Sequence, residues 1–175
     1  MTGSTNRTRA AWRSLLLVPA MVEKFVEKAA SLRADAVVID LEDSVLHKEK
    51  EVARGRVAEI ARLLRTEGRD VVVRINRPLS LAVRDIEMAV GPDVDAIMIA
   101  KTSSAEHLSP IGEVITERET ALGLALGRTA IVPLLETLRR SPSSTKFALS
   151  DVLWPWSAET RTSPRSSVAT RPLIR

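Results

Sequence analysis

An α/β fold on a parallel sheet is predicted by three features of the chain. Short apolar runs alternate with longer amphipathic stretches throughout residues 13–137. The runs are rich in Val and Ile with no polar alternation, the pattern of strands covered on both faces. Four of the five runs end in or beside a charged residue, namely Asp40, Arg74, Lys101 and Glu136. Strands alternating with helices give a parallel sheet with right-handed crossovers, so all those ends lie on one side. A doubly wound sheet gathers its chemistry in one crevice, whereas chemistry spread over successive strand ends points to a barrel. The expectation is therefore an incomplete TIM-type barrel, about the first five β/α units.

Residues 1–12, rich in Thr, Arg, Ser and Asn, read as a disordered lead-in. Arg13 to Ala20 reads as the first strand, stopped by Pro19. Val22, Phe25, Val26, Ala29 and Leu32 recur at helical spacing between charged residues, which predicts an amphipathic helix. Ala34 to Val45 holds the second strand, and its apolar run ends abruptly in Asp40, Glu42 and Asp43. Lys48 to Thr66 is a second helix, with Val52, Val57, Ile60, Leu63 and Leu64 on its apolar face and Gly68 as its stop. Val71 to Asn76 is the third strand and Ala82 to Val90 a short helix closed by Gly91-Pro92. Ala96 to Lys101 is the fourth strand, Ala105 to Leu126 is helical with Pro110 and Gly123 as break points, and Ala130 to Thr137 is the fifth strand.

Composition narrows the function classes. A chain of 175 residues suits one domain, and 45% apolar with 27% charged residues is ordinary for a soluble globular protein. The absence of Cys removes thiolate chemistry and Cys-based zinc sites, and two His, far apart, argue against a His-rich metal site or a Ser-His-Asp triad. No apolar run approaches the ~18–20 residues of a membrane span, so a cytoplasmic protein is expected. The formal charge of +4 does not signal nucleic-acid binding. Residues 138–175 carry seven Lys and Arg against two acids, which leaves the body of the chain slightly acidic and almost without aromatic residues to stack on bases. Neither a G-x-G-x-x-G nor a phosphate-loop motif follows the first strand.

Carboxylates clustered at strand ends without His or Cys suit a hard cation such as Mg²⁺. Glu136 is a candidate direct ligand, with Asp40, Glu42 or Asp43 acting directly or through water. Arg74 is a fork donor suited to a substrate carboxylate or a polarised carbonyl oxygen. A metal and an arginine together are what stabilising an enolate requires. The plainer alternatives are an Arg74–Asp40 structural ion pair, helix-capping roles for Glu42 and Asp43, and an orienting role for Lys101.

Five strings in order resemble one family. Arg13-Ser14-Leu15-Leu16-Leu17-Val18-Pro19-Ala20 resembles the opening of the citrate lyase beta-subunit-like enzymes, within the superfamily of 2-oxo acid aldolases. Asp40-Leu41-Glu42-Asp43-Ser44-Val45 looks like their acidic second-strand motif, and Val73-Arg74-Ile75-Asn76 like their substrate arginine. Ala100-Lys101-Thr102-Ser103-Ser104-Ala105-Glu106 looks like their fourth-strand motif, and Pro133-Leu134-Leu135-Glu136-Thr137 like the strand of their metal-ligand glutamate. The resemblance implies a (β/α)₈ barrel that makes or breaks a C–C bond in acyl-CoA thioesters such as citryl-CoA or malyl-CoA. It also implies Mg²⁺ as cofactor and a homo-trimer or hexamer. On it, Arg74 holds the oxo-acid portion with Arg13 and Glu136 as further substrate contacts. Glu136 binds the metal, supported by Glu42 directly or through water, while Asp40 and Asp43 join Arg74 in the catalytic set.

The pattern stops after Thr137. Family members continue into a Gly-x-x-Asp segment that supplies the second metal ligand. Residues 138–175 instead contain no Gly and have Ser, Thr or Pro at 16 of 38 positions, a composition unsuited to a packed core. Synonymous codon choices for Trp154 to Thr170 permit a Gly-x-x-Asp string in a shifted frame. The expectation is an out-of-frame, disordered tail after Thr137, a missing second metal ligand, and a truncated copy that is poorly soluble and inactive alone. The rival expectations are a CoA-independent 2-oxo acid aldolase and a non-catalytic binding fragment.

Overall fold

The computed structural model describes residues 11–102 and 105–134. Five strands, β1 (Leu15–Pro19), β2 (Ala36–Asp40), β3 (Asp70–Ile75), β4 (Ala96–Ile99) and β5 (Ala130–Pro133), alternate with four helices. These are α1 (Glu23–Ser31), α2 (Lys50–Thr66, entered through a 3₁₀ turn at His47–Glu49), α3 (Leu79–Ala89) and α4 (Ala105–Ala121). All four neighbouring strand pairs are parallel and the sheet order is β1-β2-β3-β4-β5. Every crossover thus advances the sheet in the same direction, which is the winding of a barrel and not of a doubly wound sheet. The expected fold class holds.

Strand alternation sorts the sheet into two faces. Val37, Ile39, Val71, Val73, Ile75, Ile97, Ile99 and Ile131 point to the helices, where they meet Val26, Ala53, Val57, Ile60, Leu64, Ile86, Ile111 and Ile115 in one continuous core. The opposite face carries smaller side chains, Ala36, Val38, Val72, Ala96, Ala130 and Val132 with Met98. Bulk outside and small residues inside suit a sheet that curves towards its inner face. Trp12, the last residue of the expected lead-in, packs against this inner cluster and donates its indole N–H to Asp70 at 2.7 Å.

Three details depart from the sequence reading. Val52 and Leu63 of α2 are exposed, at 57% and 39%. The buried stripe instead runs Lys50, Ala53, Arg54, Val57, Ile60, Ala61, Leu64, because Lys50 and Arg54 turn inward to polar partners. α4 is one helix through Pro110, and it ends before Gly123, whose φ of +65° suits a glycine. α3 starts at Leu79, directly after Pro78. The tail expected to be out of frame, residues 138–175, lies outside the described residues. Among the described residues no helix is long and apolar enough to cross a membrane.

Candidate active site at the strand ends

Asp40 and Arg74 are register partners in β2 and β3, so their side chains leave the sheet on the same face. Arg74 donates Nε–H and Nη2–H to the two oxygens of Asp40, both at 2.8 Å. Asp40 is fully buried and also accepts the backbone N–H groups of Glu42 at 2.8 Å and Ser44 at 3.1 Å. The bond to residue i+2 is an Asx-type turn, which folds the chain back over the strand end immediately after Asp40. Burial alone would push the Asp40 carboxyl upward, but the hydrogen bonds from Arg74, Ser44 and Glu42 and the Arg74 charge hold it down at about 2.

That turn presents Glu42 and Asp43 to the side of β4. Glu42 is buried, at 6% exposure. Its Oε1 accepts from Lys101 Nζ at 2.9 Å, whereas Oε2 has no hydrogen-bond partner and faces Arg74 Nε at 3.5 Å. Asp43 is open to solvent, with its two oxygens 3.2 and 3.4 Å from Lys101 Nζ. Lys101 follows β4 with φ +54°, a conformation that costs about 1–3 kcal/mol for a residue with a Cβ.

A second layer holds this loop from below. Lys50 Nζ donates to the carbonyls of Leu41 at 2.7 Å and Glu42 at 2.6 Å. Asn76, buried one residue beyond β3, donates Nδ2–H to Leu41 O at 3.0 Å and to Asp85 Oδ2 at 2.7 Å. Asp85 also accepts the Asn76 backbone N–H at 2.7 Å and Arg54 Nε at 2.6 Å. Both Asp85 and Arg54 are buried. A cleft of about 460 Å³ opens above, lined among others by Glu42, Asp43, Lys50, Asn76, Arg77 and Lys101.

The structure therefore brings Asp40, Glu42, Asp43, Arg74 and Lys101 together and leaves out two expected residues. Glu136 lies outside the described residues. Arg13 is a correction: it precedes β1 and sits at the amino-terminal edge of the sheet, at the far end of the strand from the mouth. There its exposed guanidinium is 3.5 Å from Asp35, whose carboxylate also accepts the backbone N–H groups of Arg13 and Ser14 at 2.8 and 2.9 Å. A five-residue strand at about 3.3 Å per residue separates the two ends. Lys50, Asn76 and Asp85 were not singled out from sequence. The one available signal was the polar residue Asn76 closing an apolar strand beside Arg74.

The described residues fit a hard divalent cation in part. Glu42 offers a buried oxygen without a hydrogen bond, Asp43 stands beside it, and both are oxygen donors of the kind Mg²⁺ prefers. Among the described residues no group of three or more His, Asp or Glu is close enough to hold a metal.

Residues 13–139 match the HpcH/HpaI aldolase/citrate lyase family. The chain belongs to that family. It is 34% identical over 120 residues to a (3S)-malyl-CoA thioesterase of Cereibacter sphaeroides, covering 65% of this chain and 42% of that protein. It is 32% identical over 127 residues to the citrate lyase subunit beta of Haemophilus influenzae, covering 71% and 43%, and 33% identical over 132 residues to that of Escherichia coli, covering 75% and 43%. The chain thus spans less than half the length of the curated relatives it matches. The magnesium/glyoxylate complex of Haloferax volcanii malate synthase superposes with a TM-score of 0.65 at 19% identity, covering 75% of this chain and 44% of that one. At that identity the likeness speaks for the fold alone.

Proposed function

We propose that this family member carries part of the site of a Mg²⁺-dependent carbon–carbon lyase for acyl-CoA thioesters of the citryl-CoA or malyl-CoA type. The observation that carries the reading is the pairing of a pinned arginine, Arg74, with a buried carboxylate that has an unbonded oxygen, Glu42, at neighbouring strand ends. Relatives named for malyl-CoA and citrate lyase chemistry support the substrate class.

Cleaving such a thioester removes the proton of the substrate hydroxyl and breaks the adjacent C–C bond. The hydroxyl carbon becomes the oxo-acid carbonyl, and the bond's electron pair passes to the thioester side, which then takes up a proton. Arg74 keeps donors of its fork beyond those used on Asp40, and these hold the oxo-acid portion. Asp40, saturated by four hydrogen bonds, is a positioning residue that fixes Arg74. Asp43, the exposed carboxylate, receives the hydroxyl proton. Glu42, directly or through water, and Glu136 would hold Mg²⁺, which would supply positive charge to stabilise the negative charge that develops on oxygen during cleavage. Residues 138–175 contribute nothing to this site in the proposal. The family match ends at residue 139, and the nucleotide sequence beyond codon 137 tests their out-of-frame origin.

The test follows oxo-acid release with Mg²⁺ from malyl-CoA or citryl-CoA, and separately from the free hydroxy acids. It uses the full chain and a form in which a relative's continuation replaces residues 138–175. Magnesium-dependent release from the thioester supports the reading. Release from the free acids alone moves the chain to the CoA-independent aldolases. No magnesium-dependent release by either form sinks it.

A further inference from the structure

Four cations stand at the mouth, and three of them are already engaged. Arg74 is bonded twice to Asp40, Lys50 donates to the carbonyls of Leu41 and Glu42, and Lys101 bridges Glu42 and Asp43. The fourth is Arg77, which lines the cleft and has no hydrogen-bond or ion-pair partner among the described residues. Its backbone is fixed on both sides. Asn76 before it is held by Leu41 O and Asp85, and Pro78 after it, with φ −57°, opens α3. Its charge also reaches across to α4, where His107 is held below the ordinary histidine value by burial and then by Arg77. The cleft walls carry Lys50, Arg77 and Lys101 against Glu42 and Asp43, so the positive charge left uncompensated is that of Arg77.

We infer that Arg77 is a specificity-determining residue that takes a second carboxylate of the substrate, so that the site favours an acyl thioester with two free carboxylates over one with a single free carboxylate. This deepens the lyase reading above and rests on it. A planar guanidinium with its donors free matches a carboxylate in bidentate fashion. The group it holds belongs to the same part of the substrate that Arg74 holds. The two arginines are three residues apart, so their Cα atoms are separated by at most about 11 Å, a span suited to a small diacid and not to the far end of a coenzyme. A thioester of the citryl-CoA type has two free carboxylates and releases an oxo diacid, whereas one of the malyl-CoA type has one and releases an oxo monoacid. The second carboxylate takes no part in the bond that breaks. Arg77 therefore selects between these substrates through binding, without touching the reacting atoms.

The test is calorimetry on the full chain with oxaloacetate and with 2-oxobutyrate, which has a methyl group where oxaloacetate has its second carboxylate. The wild type is expected to bind oxaloacetate about tenfold more tightly than 2-oxobutyrate. Arg77→Gln is expected to remove that preference by weakening oxaloacetate alone, and Arg77→Lys to keep part of it. The wild-type comparison needs no variant, so it decides even where Arg77→Gln fails to fold. Equal affinities for the two acids in the wild type, or an unchanged preference in Arg77→Gln, overturn the inference. If Arg74→Lys still weakens both acids in that case, the lyase reading survives. A second arm compares CoA with its 3′-dephospho form. If Arg77→Gln loses affinity for CoA alone and keeps it for oxaloacetate, Arg77 serves a phosphate and the inference is overturned. If neither oxo acid binds the wild type, the lyase reading and this inference fall together.

Discussion

Asp40 and Arg74 stand opposite each other in β2 and β3 and are joined by two hydrogen bonds of 2.8 Å. Parallel pairing one strand apart places both side chains on the inner face, and burial makes each depend on the other. Removing one partner of a buried pair leaves an uncompensated charge and costs about 3–5 kcal/mol. Asp40→Asn is expected to lower the urea midpoint by a corresponding amount at neutral pH, and Arg74→Met to do the same.

The same pair sets an acid limit. The Asp40 carboxyl is lowered from 3.8 to about 2 in the folded chain, so the unfolded chain binds a proton more readily. Its contribution, on the order of 2 kcal/mol, is fully present above the unfolded value and is lost as pH falls through 3.8 towards about 2. Unfolding free energies at successive pH values are expected to converge for wild type and Asp40→Asn as pH drops across that window. A constant gap between the two proteins down to pH about 2 contradicts this account.

Much of this was legible in the chain because the forces involved are local. The Val- and Ile-rich runs at 37–39, 71–73 and 97–99 have few alternatives to buried parallel strands, and the acids crowded after one of them are those that meet Arg74 and Lys101 in the structure. What sequence could not supply is direction across space. Arg13 looks like another cation near a strand, yet two residues before β1 place it on the opposite edge from Arg74. Lys50 and Arg54 read as the polar side of an amphipathic helix, because nothing local announces that Leu41 O and Asp85 wait for them. The partner of Lys101 is likewise remote, since its ammonium meets Glu42, 59 residues away in sequence.

Arg13 supplies a negative control. Its side chain is 86% exposed and its pairing with Asp35 is long, so Arg13→Ala is expected to change stability by less than about 0.5 kcal/mol. Oxo-acid affinity, measured by calorimetry with Mg²⁺ present, should match that of wild type, whereas Arg74→Lys should weaken it by tenfold or more, about 1.4 kcal/mol. A comparable loss in both variants would return Arg13 to the mouth.

Glu119 tests the frame that carries β5. It is fully buried in α4 and accepts the backbone N–H groups of Gly127 at 2.7 Å and Thr129 at 2.6 Å, thereby shaping the turn that enters the strand. Glu119→Ala leaves both donors without that acceptor at a cost of about 1–3 kcal/mol each at most. Hydrogen exchange is expected to quicken at residues 127–131 while β2 and β3 keep their protection. Uniform loss across the sheet would mean that the strand-entry turn has no separate stability.

Arg54, Asp85 and Asn76 tie the helices to the site. Asp85 receives one charge-assisted bond from Arg54 and two bonds from Asn76, and Asn76 in turn holds Leu41, the residue between Asp40 and Glu42. Asp85→Asn is expected to cost up to about 3–5 kcal/mol, since Arg54 is left buried with only the exposed Glu51, 2.7 Å from its Nη1, as counter-charge. Pairing it with Arg54→Met should recover a substantial part of that, because the buried cation is then gone as well. Mn²⁺ affinity separates the two roles of Asp85. If its bonds to Asn76 position Glu42, the double variant regains stability yet still binds the ion less tightly than wild type. If the network is only structural, affinity returns together with stability.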